Sequence, residues 1–261
     1  MRLISLITDF GLKDNFVGLI KAVILKINPK VKIVDISHLV KPQDIKEAAF
    51  ILKSSFYYFP KGTVHLVIVD PGVGTERKKL LVKTKNYFFV APDNGVLAPT
   101  LKKEKPIKII QITNPKYFLK PVSYTFHGRD IFAVVSAYVA KGDRLERFGK
   151  RIDTYLNLDL PQLKIKKNEL IGQIIYIDRF GNLVSNIDGI TFNNFVKNKG
   201  FKIFIKDKVI ERLSYSYQDV AGFKPLAIID SFGYLEIALN SGSAKDYLKA
   251  KEGSLVKVMI N

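Results

Sequence analysis

Four short segments carry side chains able to do chemistry, and each sits at the edge of an apolar element. Thr8-Asp9-Phe10-Gly11 follows the run Leu3 to Ile7, and Asp70-Pro71-Gly72-Val73-Gly74-Thr75-Glu76-Arg77 follows Val64 to Val69. Pro92-Asp93-Asn94-Gly95 follows Tyr87 to Val90, and Phe126-His127-Gly128-Arg129-Asp130 opens a helical pattern that starts at Ile131. The carboxyl ends of strands are where α/β sheets place ligands. The glycine-bearing loop can fold Arg77 back toward Asp70, and His127 is expected at a helix N-terminus, where the dipole disfavours the imidazolium. Taken singly, Asp-Pro-Gly and Asp-Asn-Gly form turns in any protein, and Asp9 or Asp70 alone could be a turn or cap. Four such loops at the ends of elements in one sheet are harder to dismiss. His65, between Val64 and Leu66, reads as a packed strand residue, and His38 ends a strand just before Leu39-Val40.

Other chemistries fit less well. In Gly72-Val73-Gly74-Thr75-Glu76-Arg77, Arg77 stands where a dinucleotide fingerprint needs its third glycine, and no amphipathic helix starts there. No phosphate-binding GxxxxGK[ST] loop occurs. The chain has no cysteine and three dispersed histidines, which removes disulfides, thiolate nucleophiles and thiolate zinc sites. A magnesium site on Asp9, Asp70 and Asp93 is the alternative, and would make the protein a phosphoester hydrolase. Further along, Asp178-Arg179-Phe180-Gly181-Asn182 and the stretch from Ser231-Phe232-Gly233 to Asn240 read as hairpin turns with strands. Phe180, Tyr217 and Phe232 would also suit stacking on a nucleobase.

The elements that must position these residues fall into two halves. Leu3 to Ile7 and Val31 to Ile36 are apolar runs typical of buried parallel strands. Between them Phe16, Val17, Ile20, Val23, Ile24 and Ile27 recur at helical spacing, with Asp14 as the expected cap. Ile45, Ala48, Ala49, Leu52 and Phe56 form a second helical face behind Pro42 and before Pro60. Further strands are expected at Val64 to Val69, Leu80 to Val82, Tyr87 to Val90 and Ile107 to Ile112, and a helix over Ile131 to Val139 ending near Gly142. Residues 1–150 are therefore expected to form an α/β domain with a mostly parallel sheet. Residues 151–168 read as a polar linker containing Pro161. Residues 169–261 hold seven short strand patterns and no helical period, which predicts an all-β, barrel-like domain.

Composition narrows the class. With 261 residues, 47% hydrophobic and 25% charged, the chain can bury real cores. No apolar run reaches the ~20 residues of a membrane helix, and the start of the chain meets Asp9 too early for a signal peptide, so a cytoplasmic protein is expected. The 42 lysines and arginines against 24 aspartates and glutamates give a net charge of +18, a field that attracts polyanions. The lysines are scattered, and no arginine-rich run or RNA-binding aromatic motif accompanies them, so a thermophile-like surface is the preferred reading over nucleic-acid binding.

In order and spacing, Thr8-Asp9-Phe10-Gly11, Val69-Asp70-Pro71-Gly72-Val73-Gly74, Ala91-Pro92-Asp93-Asn94-Gly95, Phe126-His127-Gly128-Arg129-Asp130 and the two C-terminal segments resemble the S-adenosyl-L-methionine (SAM) hydrolases, also called SAM hydroxide adenosyltransferases, which are related to the fluorinase and chlorinase. The resemblance spans nearly the whole chain. It implies an α/β domain followed by a β-barrel domain, and a homotrimer with active sites between subunits. It assigns a hydrolytic trio to Asp70, Arg77 and His127, the ribose hydroxyls to Asp9, the methionine end to Asp178 and Ser231, and the adenine to Asn182, Phe180 and Tyr217; Asn240 falls among the substrate-binding positions. SAM would be the substrate, with no cofactor and no metal. The halogenases carry a long insertion before the Asp93-Asn94-Gly95 loop and an aromatic or small residue at the position of Asp70. Only Thr84-Lys85-Asn86 separates the strands here, which argues for water as nucleophile. Phe232 stands where the fluorinase has an arginine. The implied reaction yields adenosine and methionine, with Asp70 or His127 taking a proton from water and Arg77 stabilising the developing charge.

Overall fold

Runs of apolar residues buried on both faces organise the first half of the chain. The computed structural model describes residues 3–260, which divide between Leu158 and Asp159 into two units. The first contains β1 (Leu3–Thr8), α1 (Phe16–Ile27), β2 (Lys32–Ser37), α2 (Ile45–Ser55), β3 (Val64–Ile68), β4 (Lys79–Thr84), β5 (Phe88–Pro92), α3 (Ala98–Lys103), β6 (Pro106–Ile112), a π-helical stretch Gly128–Ala133, α4 (Val134–Lys141) and β7 (Gly149–Ile152). In β3, Val64, Leu66 and Ile68 enter one core with Ile20 and Ile24 of α1 and Val135 and Val139 of α4. Val67 and the following Val69 enter the other, with Ala48, Ala49 and Leu52 of α2. Two-residue alternation inside a continuous apolar run thus serves both faces of a sheet covered by helices.

The strand order is β2-β1-β3-β5-β4-β6-β7. The first four strands pair in parallel, but β5 with β4, β4 with β6 and β6 with β7 are antiparallel. The sheet is therefore mixed, where a mostly parallel one was expected. The reason is the short link from β4 to β5, closed by Thr84 N donating to the Tyr87 carbonyl at 3.0 Å: a parallel partner needs a crossover of a dozen or more residues, and a tight hairpin can only reverse the chain. Two local expectations also differ. α1 is preceded by Asn15, with no side-chain cap, so Asp14 does not cap it, and the short α3 had no periodic signal.

The second unit contains β8 (Lys164–Ile165), β9 (Glu169–Ile177), β10 (Leu183–Asp188), α5 (Gly189–Val196), β11 (Phe201–Ile205), β12 (Lys208–Ile210), β13 (Pro225–Ile229), β14 (Tyr234–Leu239), α6 (Ala244–Leu248) and β15 (Leu255–Ile260). Its order is β12-β11-β15-β9-β10-β14-β13, with β8 beside β9. β9 pairs with β15 through its first half and with β10 through its second, and a bridge between Leu213 and Ala227 brings the two ends of the order together. The result is nearly a barrel. It is not all-β. Asp188 accepts from Thr191 N at 2.9 Å to start α5, and Ser243 accepts from Asp246 N at 3.2 Å to start α6; both helices pack on the barrel core through Phe192, Val196, Ala244 and Leu248. At eight and five residues they are too short to show a helical period.

The stretch expected as a linker, 151–168, divides between the two units after Leu158. Its first residues complete β7, Tyr155 and Leu158 pack against the first unit's core, and Lys164–Ile165 form β8. Among the described residues no helix is long and apolar enough to cross a membrane.

Candidate functional site

The loop after β3 brings two distant-looking charges together. Val73 N donates to the Asp70 carbonyl at 3.2 Å and Thr75 N to the Gly72 carbonyl at 3.1 Å, so the chain turns twice within six residues. Gly74 makes this possible: its φ is +83°, and a Cβ there would lie 2.6 Å from the Tyr124 carbonyl oxygen. Arg77 Nε consequently donates to Asp70 Oδ1 at 2.5 Å, and Nη2 donates to Oδ2. The side chains are 8% and 6% exposed, making a bidentate ion pair shielded from water.

His127 joins this pair. It sits at the N-terminal edge of the π-helical stretch Gly128–Ala133, is buried, and its Nδ1 lies 3.2 Å from Arg77 Nη2. Guanidinium has no acceptor, so Nδ1 accepts and the imidazole proton resides on Nε2. Burial, then the charges of Arg77 and Lys79, hold the His127 pKa below its ordinary value, with Asp70 and Asp130 opposing. Burial is therefore the chief cause, where the sequence pointed to a helix dipole, and both favour a neutral imidazole. Arg77 Nη1 is buried with no partner.

Asp70 and His127 line a cleft of about 350 Å³ together with Asp9, Phe10, Phe16 and Gln43. Asp9 Oδ2 accepts from Gln43 N at 2.8 Å, and Phe10, Phe16 and Phe126 form an edge-on aromatic group with centroids 5.3–5.8 Å apart. Phe16 and Gln43 were not singled out from the sequence: Phe16 reads as an ordinary helix-face residue, and nothing local marks the φ of +67° at Gln43. Asp93 does not join the trio. It is buried and accepts from Leu156 N at 2.8 Å, while Asn94 donates to the Val69 carbonyl at 2.8 Å; this segment fastens the loop to the core. Among the described residues no three histidine, aspartate or glutamate side chains gather as a metal ligand set, and Asp93 is not among the residues lining the cleft with Asp9 and Asp70. His65, fully buried, bonds Ser5 Oγ through Nδ1 at 2.7 Å and stacks on Phe89, and burial pushes its pKa down to about 3. His38 Nδ1 bonds Thr8 Oγ1 at 2.8 Å.

In the second unit, Asp178 organises its own turn. Oδ1 accepts from Phe180 N at 2.9 Å and Asn182 N at 2.8 Å, and Oδ2 from Asn182 Nδ2 at 2.9 Å. Asn182 is buried, whereas Phe180 is 77% exposed, and Ser231 is exposed. Asn240 Nδ2 donates to the Val220 carbonyl at 2.7 Å. Tyr217 donates its hydroxyl to Glu236 Oε1 at 3.0 Å. Glu236 is only 4% exposed, and burial, reinforced by the charges of Asp230 and Asp178, raises its pKa to about 7 against the opposing bond from Tyr217. Asp230 is also raised, chiefly by burial, and its Oδ2 is buried with no partner. Neither Asp230 nor Glu236 was identified from the sequence, although a glutamate inside Tyr234-Leu235-Glu236-Ile237-Ala238-Leu239 is a signal: an apolar strand rarely carries a buried carboxylate without a purpose.

Comparison with known proteins places these residues in context. Residues 4–149 match the family model of the SAM hydroxide adenosyltransferase N-terminal domain, and residues 172–257 that of its C-terminal domain. The chain is 37% identical to the (R)-S-adenosyl-L-methionine hydrolase of Methanocaldococcus jannaschii, covering 91% of this chain and 88% of the relative. It is 32% identical to the enzyme of the same name from Thermus thermophilus, covering 99% and 100%. An uncharacterized conserved protein from Thermotoga maritima, known from its crystal structure, superposes with a TM-score of 0.91 at 39% identity over 98% of this chain and 99% of that one.

Proposed function

The chain belongs to the SAM hydroxide adenosyltransferase family, and from that premise we propose that it hydrolyses S-adenosyl-L-methionine, as the (R)-sulfonium epimer, to adenosine and L-methionine. The observation that carries this reading is the Asp70–Arg77–His127 trio, whose Asp70 and His127 line a cleft with Asp9. A sulfonium is already a good leaving group, so the reaction needs a water held in line with the C5′–S bond more than it needs an acid or a metal. The water oxygen bonds to C5′, the C5′–S electron pair goes to sulfur to give the thioether of methionine, and one water proton is released.

The trio suits that task. Arg77 holds Asp70 with two hydrogen bonds and His127 with a third, which fixes three groups around one point before substrate arrives. Because Nδ1 of His127 is occupied by Arg77, the carboxylate of Asp70 is the acceptor for the water proton, and His127 offers its Nε2–H to orient the same water. The Arg77 charge beside Asp70 and His127 would stabilise the hydroxide character that develops. The carboxylate at position 70 and the tight β4–β5 hairpin support water over halide, following the resemblance. Asp9 would hold the ribose hydroxyls, Asp178 and Ser231 the methionine end, and Phe180, Asn182 and Tyr217 the adenine. The working form would be a cytoplasmic homotrimer in which a neighbouring subunit supplies the second group of residues and excludes bulk water.

Incubation of the purified protein with SAM is expected to release adenosine and methionine in equal amounts, read by chromatography, and to do so equally in EDTA. No adenosine from either sulfonium epimer refutes the assignment, and full loss in EDTA that magnesium restores refutes the metal-free mechanism.

A further inference from the structure

We infer that Glu236 is a positioning residue: its buried carboxyl group fixes the ring of Tyr217 where that ring meets the purine of the substrate. The inference rests on the proposed function for the identity of the ligand. Its geometry stands on the barrel alone. Leu235, Ile237 and Leu239 of β14 enter the barrel core, so strand alternation turns Glu236 to the opposite face, the outer one, where a carboxylate would ordinarily reach water. Here it is 4% exposed and takes the Tyr217 hydroxyl at 3.0 Å. Tyr217 lies on the short helical turn Tyr217–Asp219, which Ser216 and Asp219 close with a reciprocal cap. The surrounding loop is tied down on either side, by Ser214 N to the Ala227 carbonyl at 2.8 Å and by Asn240 Nδ2 to the Val220 carbonyl at 2.7 Å. Those ties hold the backbone. The bond to Glu236 is the one that orients the ring, which stays 45% exposed and so keeps a face for a ligand.

The choice of residue is costly as architecture. Tyr217 faces Glu236 from its helical turn, Asp178 from the turn after β9 and Asp230 from the turn after β13; the strand neighbours of Glu236 in register, Val184 on β10 and Ile228 on β13, carry no charge. No ion pair to Glu236 occurs among the described residues. A buried acid among acids destabilises the fold whenever it ionises, and a glutamine would accept the same hydroxyl without that cost. Ionisation strengthens the bond, because a phenol donates more strongly to a carboxylate than to a neutral carboxyl oxygen. The Tyr217 hydroxyl keeps its proton across this range, its own pKa being pushed up to about 12, first by burial and then by Glu236. The ring is therefore held more firmly as pH rises through about 7.

The test is adenosine affinity by calorimetry, with KM for SAM, in the intact protein and its variants between pH 6 and 8.5. Glu236→Ala and Tyr217→Phe are each expected to weaken adenosine by about fivefold to tenfold at pH 8, with KM rising by the same factor. The double variant should lose no more than the worse single one, because both remove one bond. Glu236→Gln, which keeps the acceptor, should stay within about twofold of wild type at pH 6.5 and show no pH dependence through 7, where wild type tightens. Additive losses in the double variant, or wild-type affinity in a folded Glu236→Ala, overturn the inference. A wild-type protein that binds adenosine while these variants lose nothing defeats the inference alone; one that binds no adenosine and turns over no SAM defeats the proposed function with it.

Discussion

Asp70→Asn removes one charge from the centre of the trio while keeping its shape, and the structure sets the size of the effect. The Asp70 and Arg77 side chains are 6% and 8% exposed, so the variant leaves a guanidinium buried without its counter-charge. The new amide can accept one of the two hydrogen bonds but meets Arg77 with an N–H at the other. Neutralising one partner of a buried pair costs about 3 kcal/mol or more, roughly a hundredfold in the unfolding equilibrium. For a unit of this size that lowers the melting temperature by about 6–12 °C. Replacing both partners, as Asp70→Leu with Arg77→Met, should recover most of the stability, since two apolar groups of similar volume are satisfied there. Catalysis should follow a different rule: both variants lose the carboxylate, so turnover falls about a hundredfold or more in each. Calorimetry and adenosine release on the same preparations separate the two effects. An Asp70→Asn protein that melts with wild type and keeps its rate refutes the account of the trio, and a double variant less stable than the single one refutes the electrostatic explanation of the loss.

Two further outcomes are expected. Because burial depresses His65 to about 3 while the unfolded chain titrates near 6.5, the unfolded state binds the proton first; stability is full above pH 6.5 and falls as pH drops, by about 2 kcal/mol at pH 5 and about 4 kcal/mol near pH 3. Denaturant titrations should show a shallower acid loss for His65→Gln, and equal slopes would contradict this. For the oligomer, inactive His127→Ala chains mixed with inactive Asn182→Ala chains and reassembled should regain activity, because some interfaces would pair an intact trio with an intact adenine pocket; no recovery despite demonstrated subunit exchange, or full activity from a monomer in sedimentation, contradicts shared sites.

What was legible in the sequence was whatever local periodicity encodes. The runs at Leu3–Ile7 and Val64–Val69, the helical faces of α1 and α2, and the strands of the barrel follow from spacing alone, because burial on one or two faces leaves a repeat of two or 3.6 residues. The motif order from Asp9 to Asn240 identified the family, and the glycines after Asp70 announced a loop able to fold Arg77 back. Directions and partners were not legible in the same way. The antiparallel half of the first sheet depends on which strand each hairpin returns to, and α5 and α6 are too short for a period and exist because their apolar residues meet the barrel. Asp93 has the residue type of a site, yet a tertiary contact with Leu156 gives it a fastening role. Glu236 shows the limit most plainly: its strand was foreseen, but its burial, its bond to Tyr217 and its nearness to Asp178 arise between separate segments of the chain. A side chain's type is local, while its solvation and its partners are properties of the folded whole, and the chemistry depends on those.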